Sequence, residues 1–362
     1  MKHKIKHKLA PRKKLAPKIA QRVTAAALIL ALLYFLWPIF SWLVVDAVFW
    51  PVTAEACLNS AGEAIRGACW PAVMDTFKLL LVGRYPAEEQ WRVLAALAVL
   101  IVGAVALTTR FSGRRKISRQ IKALVTVTSL IVSAVLISGW SLIGIVPVET
   151  ALWGGFLLTA ILSIIGVAAG STLGLALALG RSSTMLVPRL LTTAYIETVR
   201  GVPLITVLFF AMYVFPLFLP SGWSNISEFG RAAVAIVLFE AAYFAEVIRA
   251  GLGAVPQGQH EAAKALGLNA AQRLRLVIFP QAFKISLPAL IATTIGLVKD
   301  TSLIAVIGMF DLLGAARNVP SIPKWIGRDL EPLIFAALFY LVLSLALDSL
   351  AKKFELQRSP AV

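Results

Sequence analysis

The chain has 362 residues, of which 59% are hydrophobic and 15% are charged. Soluble domains average roughly 45–50% apolar and about 25% charged residues, so a soluble globular, disordered or disulfide-scaffolded protein is excluded. The formal net charge of +17 would suggest nucleic acid in a soluble protein. Here the basic residues gather in short loops and at the N-terminus, beside apolar runs of about 18–25 residues, each long enough to cross a bilayer. The composition therefore predicts an all-α polytopic membrane protein whose surface partner is the lipid bilayer, with no nucleic acid.

The chain opens on a basic tail, 1–22, that carries Lys2, Lys4, Lys6, Lys8, Arg12, Lys13, Lys14 and Lys18 and no acid. A polybasic flank before an apolar helix stays on the cytoplasmic side. Eight spans follow, at 23–45, 92–109, 123–145, 150–180, 202–220, 231–249, 284–309 and 331–350. With the tail inside, the cytoplasmic segments are 1–22, 110–122, 181–201, 250–283 and 351–362, and they hold most of the Lys and Arg residues. Asp46, Glu55, Glu63, Asp75, Glu88, Glu89, Glu149, Glu228, Asp311, Asp329 and Glu331 fall outside. The charge bias predicts that both termini are cytoplasmic.

The chain divides near residue 148. Residues 23–148 form a three-helix extension with a long external loop, and 149–350 form a five-helix core, followed by a short tail, 351–362. Cys57 and Cys69 lie together in the first external loop. In an oxidising compartment they would pair; otherwise the loop holds two unpaired thiols.

The most informative stretch is the cytoplasmic loop 250–283. Pro256 and Gly258 break the preceding span, and 259–266 is a run of good helix formers. Glu261 falls near the positive end of that helix. Gly267 stands where a left-handed residue would end it. Asn269 can cap the next helix with Gln272 completing a capping box, and Pro280 is expected to stop that helix after Phe279. The loop is thus a rigid, partly apolar helix–turn–helix with Leu266, Leu268, Leu274 and Leu276 available to dock.

Glu261-Ala262-Ala263, then Gly267, then Pro280, resembles the EAA loop of ABC importer permeases. The familiar Ile-x-Leu-Pro ending is replaced by Val277 and Phe279 before Pro280. The stretches 195–204, 245–251 and 297–303 resemble polar-amino-acid permeases, and the Cys-bearing extension is similar to the longer membrane subunit of general L-amino-acid importers. The resemblance implies a type I ABC importer permease in a bacterial inner membrane, paired with a second permease subunit. It also implies an ATP-binding subunit dimer that docks at Glu261, Ala262, Ala263, Leu266, Gly267, Leu268 and Pro280, and a periplasmic amino-acid-binding protein.

The chain has no Gly-x-x-x-x-Gly-Lys-Ser/Thr run, so ATP would be bound and hydrolysed on a partner and this chain would hold no cofactor. No metal-ligand spacing or nucleophile motif occurs in the sequence, which predicts a transport subunit and not an enzyme. Charges at membrane depth are functional by default. Glu240, Tyr243, Lys299, Asp300 and Thr301 are candidates for the substrate path, although the polar run from Lys299 also reads as a helix break packed on a partner. Glu246 and Arg249 are spaced as an ion pair. Gly166, Gly170 and Gly174 form a small-residue stripe, either facing the second permease or packing within the chain. An ion- or proton-coupled secondary carrier that uses Glu240 and Asp300 as relays is the alternative function.

Overall fold

The computed structural model describes residues 16–58, 62, 65–108, 119–220 and 226–356. Most of the basic tail, the 110–122 linker as far as Ser118, and the last six residues of the C-terminal tail lie outside the described residues. The chain forms two compact units, Met1–Met74 and Asp75–Val362.

In the first unit, α1 (Ala16–Phe40) continues through a π turn at Ser41–Val45. From Leu28 to Phe40 its large apolar side chains are exposed around the helix, as expected for a helix whose solvent is lipid. The loop after it is pinned at its base: the Val48 N–H donates to the Ala68 carbonyl (2.9 Å), and the Trp70 N–H donates back to the Val48 carbonyl (3.0 Å). Cys57 and Cys69 form a disulfide with their Cα atoms 5.7 Å apart, which realises the first of the two alternatives. Helix α2 (Trp70–Asp75) closes the segment.

In the second unit, α3 (Phe77–Val82) leads to α4 (Gln90–Thr108) and α5 (Arg119–Ser138). Helices α4 and α5 pack at short range because Gly103 leaves room for the Ser129 side chain and the Ser133 hydroxyl donates to the Ala96 carbonyl (3.0 Å). The third span ends at Ser138, earlier than its apolar run, because Gly139 turns the chain at φ +77°.

The core follows as α6 (Gly155–Arg181), α7 (Leu186–Arg200), α8 (Leu204–Phe209) and α9 (Glu228–Gly253). The fifth span is not the straight helix its hydropathy suggests. Helix α7 and the segment Leu204–Phe218 meet at 102° across Gly201-Val202-Pro203. Pro203 takes φ −62° and ψ 141° there, an extended geometry in which its missing N–H costs nothing.

Beyond α9 stand α10 (Gln257–Ala265), α11 (Ala270–Gln272), α12 (Phe279–Asp300), α13 (Leu312–Asn318) and α14 (Leu330–Leu356). Pro280 does not stop a helix. A π segment, Arg273–Ile278, joins α11 to α12, and Pro280 sits in the first turn of α12. The wider π turn reaches the proline with no i→i−4 bond to lose.

Each of the eight expected spans coincides with a helical segment. Five described helices are long and apolar enough to cross a membrane, and the bent pair adds a sixth. Helix α9 is more polar than these because it carries Glu240, Glu246 and Arg249. No β-strand occurs among the described residues, only isolated bridges.

The core is organised by α6 against α9. Gly166, Gly170 and Gly174 all face neighbours within the chain: Ile236 and Leu297, then Glu240 and Ala241, then Phe244 and Ala241. The stripe therefore serves intrachain packing, with Leu158, Leu162, Leu208, Ile236, Phe239 and Leu297 buried around it. The Asp75 carboxylate accepts from the Trp325 indole N–H (2.9 Å) and the Lys324 ammonium (3.1 Å). Asp311 is buried and caps α13 through the Gly314 N–H (2.8 Å).

Candidate functional site: a capped knob and a polar cavity

The knob consists of α10, the turn at Gly267 and α11. Pro256 holds the N-cap position of α10 with extended backbone, and the helix ends at Ala265 with Leu266 as its C-cap. Gly267 adopts φ +75° with nothing within 4 Å of where a Cβ would stand, so the backbone alone demands glycine. The Leu268 N–H donates to the Ala263 carbonyl (3.2 Å) and the Gly267 N–H to the Lys264 carbonyl (3.0 Å), which closes the C-terminal turn. The expected capping box is present: the Gln272 N–H donates to Asn269 Oδ1 (2.9 Å), and the Asn269 N–H donates to Gln272 Oε1 (3.0 Å).

Helix α10 begins two residues earlier than its composition suggested, which moves Glu261 out of the first turn and onto the exposed middle of the helix. Ala262 is exposed and Ala263 is buried. Leu266 is 79% exposed and Leu276 is 62% exposed, whereas Leu268 is half-buried. Leu274 is turned inward against Val255, Ile278 and Ala282. That cluster roots the knob on the ends of α9 and α12, so the knob has a packed base and an apolar exposed tip. Pro280 is exposed beside this base.

The second feature is a cavity of about 600 Å³ where the bend after α7 meets α9 and α12. Glu240, Tyr243 and Asp300 line it together. Glu240 is only 3% exposed, and burying a carboxylate is costly without polar surroundings, which the cavity supplies. Lys299 is exposed and does not line the cavity; Thr301 is buried and donates to the Val298 carbonyl (2.8 Å), which ties the end of α12 into its 3-10 continuation. The polar run thus divides between wall and scaffold.

The cavity also uses residues that reading by type did not single out. Arg200 lines it, with its guanidinium 5.5 Å from the Tyr243 ring centre, and so do Thr293 and Gly296 of α12. The usable signal for Arg200 is the Arg-Gly-x-Pro punctuation at the bend, which places a cation where the chain turns. The expected Glu246–Arg249 ion pair is present at 2.5 Å. No group of three His, Cys, Asp or Glu residues that could hold a metal occurs among the described residues.

Residues 170–358 match the family described as binding-protein-dependent transport system inner membrane component. The inner membrane amino-acid ABC transporter permease protein YhdY of Escherichia coli (strain K12) is 37% identical over 89% of this chain and 86% of its own length. The glutamate/glutamine/aspartate/asparagine transport system permease protein BztC of Rhodobacter capsulatus is 34% identical, covering 79% of this chain and 78% of its own. A crystal structure of an amino acid ABC transporter with histidines is 36% identical over 56% of this chain and 92% of that chain, with a TM-score of 0.51.

Proposed function

The chain belongs to the family of binding-protein-dependent transport system inner membrane components, and from that membership we propose how its two sites divide the work of amino-acid import. The protein is a multi-pass permease subunit of an ATP-driven amino-acid importer, without an ATPase site of its own. Family membership leaves the secondary-carrier alternative without support. ATP is used on a partner subunit.

The knob around Glu261, Ala262, Ala263, Leu266, Gly267, Leu268 and Pro280 docks on the ATP-binding subunit. The observation that carries this reading is the combination of an apolar exposed tip, Leu266, with a doubly capped turn, since a mere connector has no need of such rigidity. The cavity holding Glu240, Tyr243 and Asp300 lines the substrate path. A second permease completes that path, and a binding protein delivers the amino acid from the side opposite the basic tail. The core, divided from the three-helix extension near residue 148, serves as the transport unit.

Because the knob shares a hydrophobic base with α9 and α12, closure of the ATP-binding subunits moves both helices together. That motion re-aims the cavity they wall. The test is amino-acid uptake in cells lacking the protein, complemented with wild type or Gly267→Asp at matched membrane levels. Loss of uptake in the variant is expected; wild-type uptake by Gly267→Asp would refute the docking role.

A further inference from the structure

The C-terminal parts of α6, α7 and α9 meet at one side chain, Arg181. Its Nη2 lies 2.6 Å from Glu197 Oε1 on α7, and its Nη1 lies 3.2 Å from Glu246 Oε2 on α9. Glu246 in turn holds Arg249 at 2.5 Å and 3.0 Å. The arrangement is set by packing: a Cβ on Gly180 would stand 2.6 Å from the Thr192 side chain, so α6 and α7 approach closely enough for the neighbouring Arg181 to reach across.

Two distances along the chain give this cluster its meaning. Arg249 is followed, after Gly253, by the knob. Glu197 lies one helical turn before Arg200, which walls the cavity, and before the 102° bend at Gly201–Pro203. A cavity of about 860 Å³, lined by Arg181, Thr184, Arg249 and His260, separates the α6–α7 turn from the knob, so the two elements have room to shift relative to one another.

We infer that Arg181 is a positioning residue for transport, an ionic link that carries the displacement of α9 below the cavity onto α7 and thereby moves the cavity wall at Arg200. The inference rests on the docking role of the knob. Exposed ion pairs contribute little to stability, and Glu197 is 60% exposed. The link therefore matters through geometry, in that its two arms bias which relative position of α7 and α9 is held.

The experiment uses the complete transporter in proteoliposomes, with its ATP-binding subunits, second permease and loaded binding protein. Uptake and ATP hydrolysis are measured together for wild type, Arg181→Gln, Arg181→Lys, Glu197→Gln and Gly267→Asp. Arg181→Gln and Glu197→Gln should lower amino acid moved per ATP hydrolysed by about fivefold or more, with Arg181→Lys recovering part of it. Glu197→Gln removes an exposed group, so its effect is read even if an Arg181 variant assembles poorly. An unchanged ratio in Glu197→Gln and Arg181→Gln, whether activity is full or lowered in parallel, would overturn the link. Normal transport by Gly267→Asp would instead overturn the docking reading and the link with it.

Discussion

A Cβ placed on Gly174 would stand 2.7 Å from the Cβ of Phe244 and 2.9 Å from the carbonyl oxygen of Ala241. At Gly170, one turn earlier, the nearest atom would be 3.3 Å away. Helices α6 and α9 are therefore in closest contact at Gly174, and neither neighbour there is the flexible end of a side chain. Gly174→Ala should destabilise the core by about 1–3 kcal/mol through overpacking, and Gly170→Ala by less. Thermal unfolding of the two variants in detergent checks the order, and equal loss would contradict the asymmetry.

Asn269 holds the amide of Gln272, and Gln272 returns the bond. Asn269→Ala should cost about 1 kcal/mol of local stability. The loss should be confined to the knob, because the base cluster of Val255, Ile278 and Ala282 does not depend on the cap. Hydrogen exchange should speed up at residues 270–273 and stay unchanged in α9 and α12.

The residues proposed for the substrate path separate by position. Glu240 lines the cavity and is buried, whereas Lys299 lies outside it and is exposed. Glu240→Gln should lower uptake about tenfold, the effect of losing roughly 1.4 kcal/mol of interaction. Lys299→Gln should stay close to wild type. Uptake at matched abundance tests the contrast, and equal effects would remove the reason for assigning Glu240 to the path.

Asp311 lies outside the spans, and burial pushes its carboxyl up to about 6 despite the hydrogen bonds from Gly314 and Leu313. The folded protein therefore binds this proton more tightly than the unfolded chain does. Between about pH 4 and 6 the group makes stability fall as pH rises. Asp311→Asn keeps a capping side chain and removes the titration. Its unfolding temperature should depend less on pH across that window, and identical pH profiles would count against the buried charge.

Cys57 and Cys69 close a loop of 12 residues in sequence separation. Alkylation without reductant should find no free thiol. Cys69→Ser should weaken the loop it closes by about 3 kcal/mol, which limited proteolysis within residues 46–70 would detect.

Much of the knob was legible in the chain because its determinants act over one helical turn. Pro256, Gly267 and the Asn269–Gln272 pair satisfy backbone groups three to five residues away, and this chemistry needs no knowledge of the rest of the molecule. Pro280 marks the limit of such local rules: a helix stop is the local expectation, and the π turn that accommodates the proline depends on the packed base beneath it. The fifth span looked continuous because hydropathy records length and not direction, whereas the bend at Gly201–Pro203 is a matter of backbone angle.

The sequence by itself determined the membrane solvent, the positions of the spans and the capped knob, since apolar length, charge bias and helix capping are properties of short stretches. Only the tertiary structure decided that Gly166, Gly170 and Gly174 face α9, that Arg200 joins Glu240 and Asp300 around one cavity, and that Arg181 bridges Glu197 and Glu246. Those partners are separated by 16 residues or more along the chain. Which faces meet is set by close packing of whole helices, and helical periodicity offers several faces without choosing among them.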